Sequence, residues 1–135
     1  MKKSLLAILF YLVLTMILGM SWHFVFFKEL YDSLGIYNRA EPIIPLGLTS
    51  MFIQGVILAY LYPRFYKGGN PATEGLKFGL LMGLFMFSIS TLANGAKIQV
   101  TSMSLWLGVQ TAFHLIQFVI AGLGIGFIFG KSPRT

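Results

Sequence analysis

The sequence predicts an all-α fold, a polytopic integral membrane protein built as a four-transmembrane-helix bundle. Of its 135 residues, 56% are apolar and 10% are charged, whereas about a quarter of the residues in soluble domains are charged. Four acidic and ten basic side chains cannot cover a soluble domain of this size, so most of the surface must face lipid. We expect a single membrane domain, residues 1–135, with helices at about 4–27, 43–62, 71–93 and 102–130.

The first predicted helix begins after two lysines. Residues 5–20 form an uncharged run, and the apolar character continues beyond it. A hydrocarbon core about 30 Å thick needs about 20 helical residues, so this segment is long enough to span it. Basic residues such as Lys2 and Lys3 followed by an apolar run are also typical of the start of a secretory signal peptide. We expect a retained helix instead, because the run is long for a signal peptide and no alanine lies near its end.

Prolines mark the boundaries of the next two predicted helices. The second helix follows Pro42 and is closed by Pro63, because proline suits the first turn of a helix and disfavours its continuation. The third begins with an N-cap residue, Asn70, and with Pro71 at the first helical position. These residues predict where both helices start and where the second one ends.

The remaining segments are a long last helix and a mixed loop. The fourth predicted helix is the longest, so it must tilt or protrude from the bilayer. The loop of residues 28–41 combines charges with apolar and aromatic residues, namely Leu30, Tyr31, Leu34, Ile36 and Tyr37. We expect it to lie along the lipid headgroups as a short amphipathic turn.

The distribution of basic residues predicts the orientation, because short loops rich in Lys and Arg stay in the cytoplasm. Alternate loops divide these residues seven to three. One side has Lys2, Lys3, Arg64, Lys67, Lys77, Lys131 and Arg134, and the other has Lys28, Arg39 and Lys97. We therefore expect an N-in, C-in topology with both termini in the cytoplasm.

Composition argues against several classes of function. The formal charge of +6 comes from residues scattered between the apolar runs, so we expect no nucleic-acid partner. The chain has no cysteine, which removes disulfides, thiolate metal sites and cysteine nucleophiles. The four acids lie outside the apolar cores, and no Ser-His-Asp set, P-loop or dinucleotide motif is present. We expect no enzyme, no metal site and no cofactor.

Five uncharged polar side chains within the apolar runs are the candidates for function. They are His23 in the first predicted helix, Gln54 in the second, and Gln110, His114 and Gln117 in the fourth. The last three are spaced i, i+4, i+7 and share one face, which should point inward because polar groups in hydrocarbon need partners. Gln54 and His114 lie at similar depth, so we expect them to form a hydrogen bond between helices.

Three interpretations of His114 remain open. It is a hydrogen-bonded residue between helices, a member of a proton relay or solute path with Gln110 and Gln117, or an axial ligand to haem or a chlorophyll-like pigment. We favour the structural role, and we favour it for His23 as well. Two histidines at unequal depth with no carboxylate nearby make a poor metal site, because zinc and di-iron centres need three or four converging ligands.

Glycines at four-residue spacing form a stripe on each of the last two predicted helices. The third helix has Gly75, Gly79 and Gly83, and the fourth has Gly122 and Gly126 in the same rhythm. Small residues let membrane helices approach closely. We expect both stripes to be packing surfaces rather than a seat for a flat cofactor ring.

Short motifs in the first and last helices resemble a family of small four-helix bacterial inner-membrane proteins known as a domain of unknown function. The resemblance covers about half the chain and rests on Gly19 and Trp22 with the aromatics that follow, and on Phe113-His114-Leu115 with Gly122 and Gly126. The family has a tyrosine where this chain has His23. The resemblance implies the topology and a bacterial inner membrane, and it implies no activity.

Three functions are compatible with these features. The first is a non-catalytic protein that acts by helix-helix association, as an oligomer or as an accessory subunit of a membrane complex, with lipids and other subunits as partners. The second is a small transporter or channel that uses the polar face of the fourth helix. The third is a haem or pigment subunit bound through His114. We favour the first, because short helices bury little surface and the glycine stripes leave faces for partners.

Overall fold

The computed structural model describes residues 1–36, 39 and 41–130. Tyr37, Lys131 and Arg134, which entered the loop and charge arguments, lie outside the described residues. Within those ranges the chain is helical and contains no strand. The helices are α1 (Lys2–Ser21), α2 (Lys28–Leu34), α3 (Ile44–Phe65), α4 (Pro71–Phe87) and α5 (Met103–Phe129), and π-helical segments follow α1 (Trp22–Phe26) and α4 (Ser88–Ala93).

Among the described residues, four helical stretches are long and apolar enough to cross a membrane, which confirms that part of the prediction. They are Lys2–Phe26, Ile44–Phe65, Pro71–Ala93 and Met103–Phe129. The last stretch is the most buried, so α5 is the central helix of the bundle. Lys3 Nζ donates a 2.6 Å hydrogen bond to the Phe129 carbonyl, which places the start of α1 and the end of α5 at the same end of the molecule.

The helix ends agree with the capping signals at one boundary and differ at another. The Asn70 side chain accepts hydrogen bonds from the Ala72 and Thr73 amides, as an N-cap should. The expectation that Pro63 closes the second helix is wrong, because α3 continues to Phe65. A proline in the last turn removes one hydrogen bond, and the next backbone bond, from Tyr66 N to Tyr62 O, still forms at 2.9 Å.

The long helices pack as two pairs, α1 with α3 and α4 with α5. The α4 helix lies along α5, and α1 packs against both α3 and α5, whereas α3 and α4 hardly touch. The main core lies in the half of the bundle that contains the start of α1 and the end of α5. Its largest fully buried side chains are Tyr11, Tyr62, Phe78 and Ile125.

The two glycine stripes lie against each other within this chain. A Cβ added to Gly122 would lie 2.6 Å from Gly79 Cα, and one added to Gly126 would lie 3.0 Å from Gly75 Cα. Gly83 faces Phe118 in the same way, with 2.9 Å between an added Cβ and the Phe118 Cβ. The backbones of α4 and α5 therefore meet at a distance that only glycine permits.

The loop after the first helical stretch differs from the expected turn along the headgroups. It forms α2, whose Tyr31 and Leu34 are fully buried against Trp106 and Val109. Thr101 Oγ1 also donates a 2.8 Å hydrogen bond to the Ser33 carbonyl. The apolar side of α2 covers the first turns of α5, and this contact removes apolar surface from water.

Candidate functional site

A cavity of about 390 Å³ opens between α1, α3, α4 and α5 in the half of the bundle that carries α2. It forms because α3 is packed along only part of its length. Residues 44–53 of α3 include no buried residue, whereas the second half of the helix buries Gly55, Leu58, Ala59 and Tyr62. We call this space the polar cavity. Its lining residues are Thr15, Gly19, Met20, His23, Phe24, Gly47, Ser50, Met51, Gln54, Met86, Ser90, Gln110, Phe113, His114, Gln117 and Phe118.

All five polar residues singled out in the sequence line the polar cavity. They are His23, Gln54, Gln110, His114 and Gln117. The three from α5 are more than nine-tenths buried, with 8%, 8% and 4% of their surfaces exposed. The structure thus brings residues from three predicted helices to one place, and the shared face of α5 forms its inner wall.

Gln54 and His114 do not form the expected hydrogen bond. The Tyr11 hydroxyl donates a 2.7 Å hydrogen bond to Gln54 Oε1, and the amide nitrogen of Gln54 donates to Ser50. Depth alone suggested the pairing, but α3 packs mainly on α1 and α4 mainly on α5. Gln54 therefore reaches α1, while His114 reaches Ser90 in the π-helical segment after α4.

A hydrogen-bonded layer closes the inner end of the polar cavity. Gln117 Nε2 donates to Thr15 Oγ1 at 3.2 Å and to the Tyr11 hydroxyl at 3.4 Å. Together with the bond from Tyr11 to Gln54, these contacts join α1, α3 and α5 at one level. Beyond this layer lies the apolar core, in which Ala121 is buried beside Tyr11. The layer therefore separates the polar cavity from this core.

His114 lies in a chain of hydrogen bonds that lacks one proton when the imidazole is neutral. Its Nδ1 lies 2.8 Å from the Gln110 carbonyl and its Nε2 lies 2.7 Å from Ser90 Oγ. Ser90 Oγ also donates to the Met86 carbonyl at 2.7 Å. Because a hydroxyl has one proton and a carbonyl only accepts, a neutral imidazole leaves one of the three bonds unmade. A protonated imidazole would complete all three.

The two histidines flank one aromatic ring. The His23 and Phe113 ring centroids are 4.7 Å apart, and those of Phe113 and His114 are 5.6 Å apart. The His23 ring also packs on Tyr31, whose ring centroid lies 4.6 Å away and whose hydroxyl donates to Gln110 Oε1 at 3.0 Å. The histidines were expected at unequal depth. In the structure both contact Phe113, and both line the polar cavity.

Both π-helical segments contribute to the polar cavity. His23 and Phe24 belong to the segment after α1, and Ser90 belongs to the one after α4. A π-turn contains one residue more than an α-turn and so rotates the side chains that follow, and such turns occur frequently at functional sites. Neither segment was foreseen from the sequence, since no proline or glycine pattern marks them.

Four polar residues at this site were missed in the sequence. Tyr11 and Thr15, four residues apart on α1, face Gln117, while Ser50 and Ser90 complete the contacts of Gln54 and His114. The i, i+4 spacing of Tyr11 and Thr15 deep within an uncharged run was the available signal. Serine in an apolar helix gives little signal, because its hydroxyl can bond to its own backbone.

The described side chains of the site do not form a cluster of metal ligands. Among residues 1–36, 39 and 41–130, no three His, Asp or Glu side chains converge. Haem ligation would need a free imidazole nitrogen, and both nitrogens of His114 are engaged. No described residue that lines the cavity is charged. Glu74, the one buried acid among the described residues, pairs with Lys77 at 2.9 Å near the start of α4.

Comparisons with protein-family models, with curated proteins and with solved structures found no match. The interpretation of the polar cavity therefore rests on its own geometry, and the resemblance to a four-helix inner-membrane family stays a prediction.

Proposed function

We propose that this chain is a small multi-pass membrane protein of the transporter class that binds an uncharged molecule in the polar cavity. One observation carries the proposal. Hydrogen-bonding side chains from four helical stretches converge on a cavity of about 390 Å³, and no described Lys, Arg, Asp or Glu lines it. This volume lies in the range of small-molecule sites, which combine apolar walls with a few placed polar groups. Polar residues inside a membrane bundle commonly mark the path of a substrate or ion.

The proposed orientation places both termini in the cytoplasm of a bacterium and the four long helices in its inner membrane. The distribution of basic residues supports this orientation. The hydrogen bond from Lys3 to Phe129 supports placing the start of α1 and the end of α5 on the same side of the membrane. In this orientation α2 lies on the outer side. The polar cavity then opens toward the outer half of the bilayer, and the hydrogen-bonded layer of Tyr11 and Gln117 closes it from the cytoplasm.

Transport fits this geometry better than an open channel. A channel needs a continuous path, whereas this cavity ends at the Tyr11 layer and the apolar core beneath it. Release on the inner side requires that layer to separate.

Helix-helix association is less well supported than the sequence suggested. The glycine stripes of α4 and α5 were expected to leave faces for partner proteins, but they contact each other. What remains exposed is a broad apolar surface that includes Leu9, Val13 and Leu84. Lipid tails cover such a surface as well as a partner subunit would.

Cysteine labelling tests whether water reaches the polar cavity from outside, and the chain has no native cysteine to interfere. In intact cells, a membrane-impermeant thiol reagent should modify Ser90→Cys, because Ser90 lines the cavity. The matched control is Ser88→Cys, two residues earlier in the same π-helical segment. Ser88 is exposed on the outside of the bundle, where lipid would suppress thiolate formation, and it should stay unmodified.

Two exposed loop residues calibrate the same experiment. Lys97→Cys should react in intact cells, and Lys67→Cys should react only after the cells are permeabilised, because the two loops lie on opposite sides in the proposed topology. Equal labelling of Ser90→Cys and Ser88→Cys would remove the support for a water-accessible site. The reverse pattern at Lys97 and Lys67 would overturn the orientation.

A further inference from the structure

A second cavity of about 260 Å³ lies between α3 and α4, and we call it the apolar groove. It exists because α3 packs on α1 and α4 packs on α5, so these two helices leave a gap between them. Ile57 and Leu61 line it from α3, and Met82 and Phe85 line it from α4. Its polar lining residues, Tyr11 and Gln54, stand at one end. This end belongs to the hydrogen-bonded layer described above.

The apolar groove and the polar cavity adjoin each other. Gln54, Met86 and Phe118 line both of them. A molecule bound across this junction would meet hydrogen-bonding groups on one side and only hydrocarbon and sulfur on the other. From this arrangement we propose that the ligand is amphipathic, with an uncharged hydrogen-bonding head in the polar cavity and an apolar tail in the apolar groove. The inference rests on the proposed ligand-binding function and names its ligand class.

The polar cavity favours a neutral head. Gln117 and His114 are more than nine-tenths buried, and no described charged residue lines the cavity to offset an ionic head. A charge bound there would lose its hydration without gaining a counter-ion, which is costly. Amide and hydroxyl groups such as those of Gln54 and Ser90 both donate and accept hydrogen bonds. They therefore match a hydroxyl or carbonyl group on the ligand.

The apolar groove gives the tail a route from the bilayer. Ile57 of α3 and Phe85 of α4 line the groove and are about half exposed, with 48% and 57% of their surfaces accessible. In a membrane these surfaces meet lipid tails. A ligand already dissolved in the bilayer could therefore slide its head between α3 and α4 without crossing water. Methionines such as Met82 and Met86 line the route, and their flexible side chains adapt to different tails.

The test uses the full chain with Ser90→Cys in lipid nanodiscs and measures the rate of thiol labelling. Decyl para-hydroxybenzoate should slow the labelling, because its phenol head would occupy the polar cavity. Two further neutral probes are tested in parallel. One is methyl para-hydroxybenzoate, which has the same head without the tail, and the other is dioctanoylglycerol. Protection by the decyl ester indicates an aromatic head, and protection by dioctanoylglycerol indicates a glycerol head. Decyl sulfate has the same tail and an anionic head, and it should give no protection.

Substitutions in the groove test where the tail lies. Met82→Phe narrows the groove and should weaken protection by the tailed probe by about tenfold. Protection by the methyl ester should stay unchanged, which also shows that the cavity is intact. Leu81 precedes Met82 on α4 and does not line the groove. Leu81→Phe should therefore change neither the protection by the tailed probe nor that by the methyl ester. Ile57→Phe narrows the groove from α3 and should act like Met82→Phe if that variant fails to fold.

The outcomes separate this inference from the proposed function. Tailed probes that protect Ser90→Cys equally well in the Met82→Phe and Leu81→Phe backgrounds would overturn the placement of the tail in the groove. Protection by decyl sulfate, or no protection by any neutral probe, would overturn the ligand class. In each of these cases selective labelling of Ser90→Cys over Ser88→Cys would still support a water-accessible cavity.

Discussion

Tyr11 and Gln54 join α1 to α3 through a 2.7 Å hydrogen bond at the closed end of the polar cavity. The same hydroxyl accepts a bond from Gln117 of α5, so one tyrosine connects three helices. Tyr11 is also fully buried, and its ring packs 6.4 Å from that of Phe118. The residue that closes the cavity therefore belongs to the core as well.

Replacing Tyr11 with phenylalanine should loosen this closure while keeping the ring. Hydrogen bonds between helices in membranes contribute about 0.6 to 2 kcal/mol each, so Tyr11→Phe should lower the free energy of unfolding by about 1 to 3 kcal/mol. Denaturation in mixed micelles would measure the loss. Tyr60→Phe is the control, because Tyr60 is exposed and Arg64 can still stack on its ring. Equal stability of both variants would contradict the assigned role of the hydroxyl.

Gly122 should tolerate no side chain. An added Cβ would lie 2.6 Å from Gly79 Cα, and backbone cannot yield as a flexible side chain can. Gly122→Ala should therefore destabilise the chain by about 1 to 3 kcal/mol. Gly108→Ala, on the same helix with open space around it, should be neutral or gain about 0.5 to 1 kcal/mol from helix propensity. Thermal unfolding of both variants in one detergent would measure the difference, and a stable Gly122→Ala would argue against the contact between α4 and α5.

Tyr31 should hold α2 against the bundle. It is fully buried, donates to Gln110 and packs in the same cluster as Trp106. Tyr31→Ala should cost about 3 to 5 kcal/mol, the usual range for deleting a buried aromatic ring. Trp106 should then become more exposed, and its fluorescence emission should shift to longer wavelength. Asp32→Ala, at an exposed position on the same helix, should leave the spectrum unchanged.

The purified protein should distinguish the three functions that the sequence allowed. The transporter proposal expects a colourless preparation and a monodisperse particle whose protein mass is that of the 15.0 kDa chain. A homo-oligomer or a co-purifying subunit in mild detergent would favour helix-helix association. A haem or pigment absorption band, lost in His114→Leu, would favour the third function. Light scattering and a visible spectrum of one sample measure all of these.

Sequence patterns located the candidate residues but assigned the one contact between them incorrectly. Polarity within an apolar run identified Gln54 and His114 as functional candidates, and both line the cavity. Depth then paired them, although they bond to Tyr11 and Ser90 instead. Depth follows from position along one helix, whereas a partner depends on which helices are neighbours and how each is rotated.

What the sequence determined by itself is local. Long uncharged runs require helices of membrane-spanning length, Asn70 and Pro71 set the start of α4, and the spacing of Gln110, His114 and Gln117 puts them on one face. The tertiary structure decided the rest. It paired the two glycine stripes, folded α2 over α5, and left the first half of α3 unpacked so that a cavity remained. The physical reason is that helix periodicity is a property of one segment, while cavities and contacts depend on the relative positions of several segments.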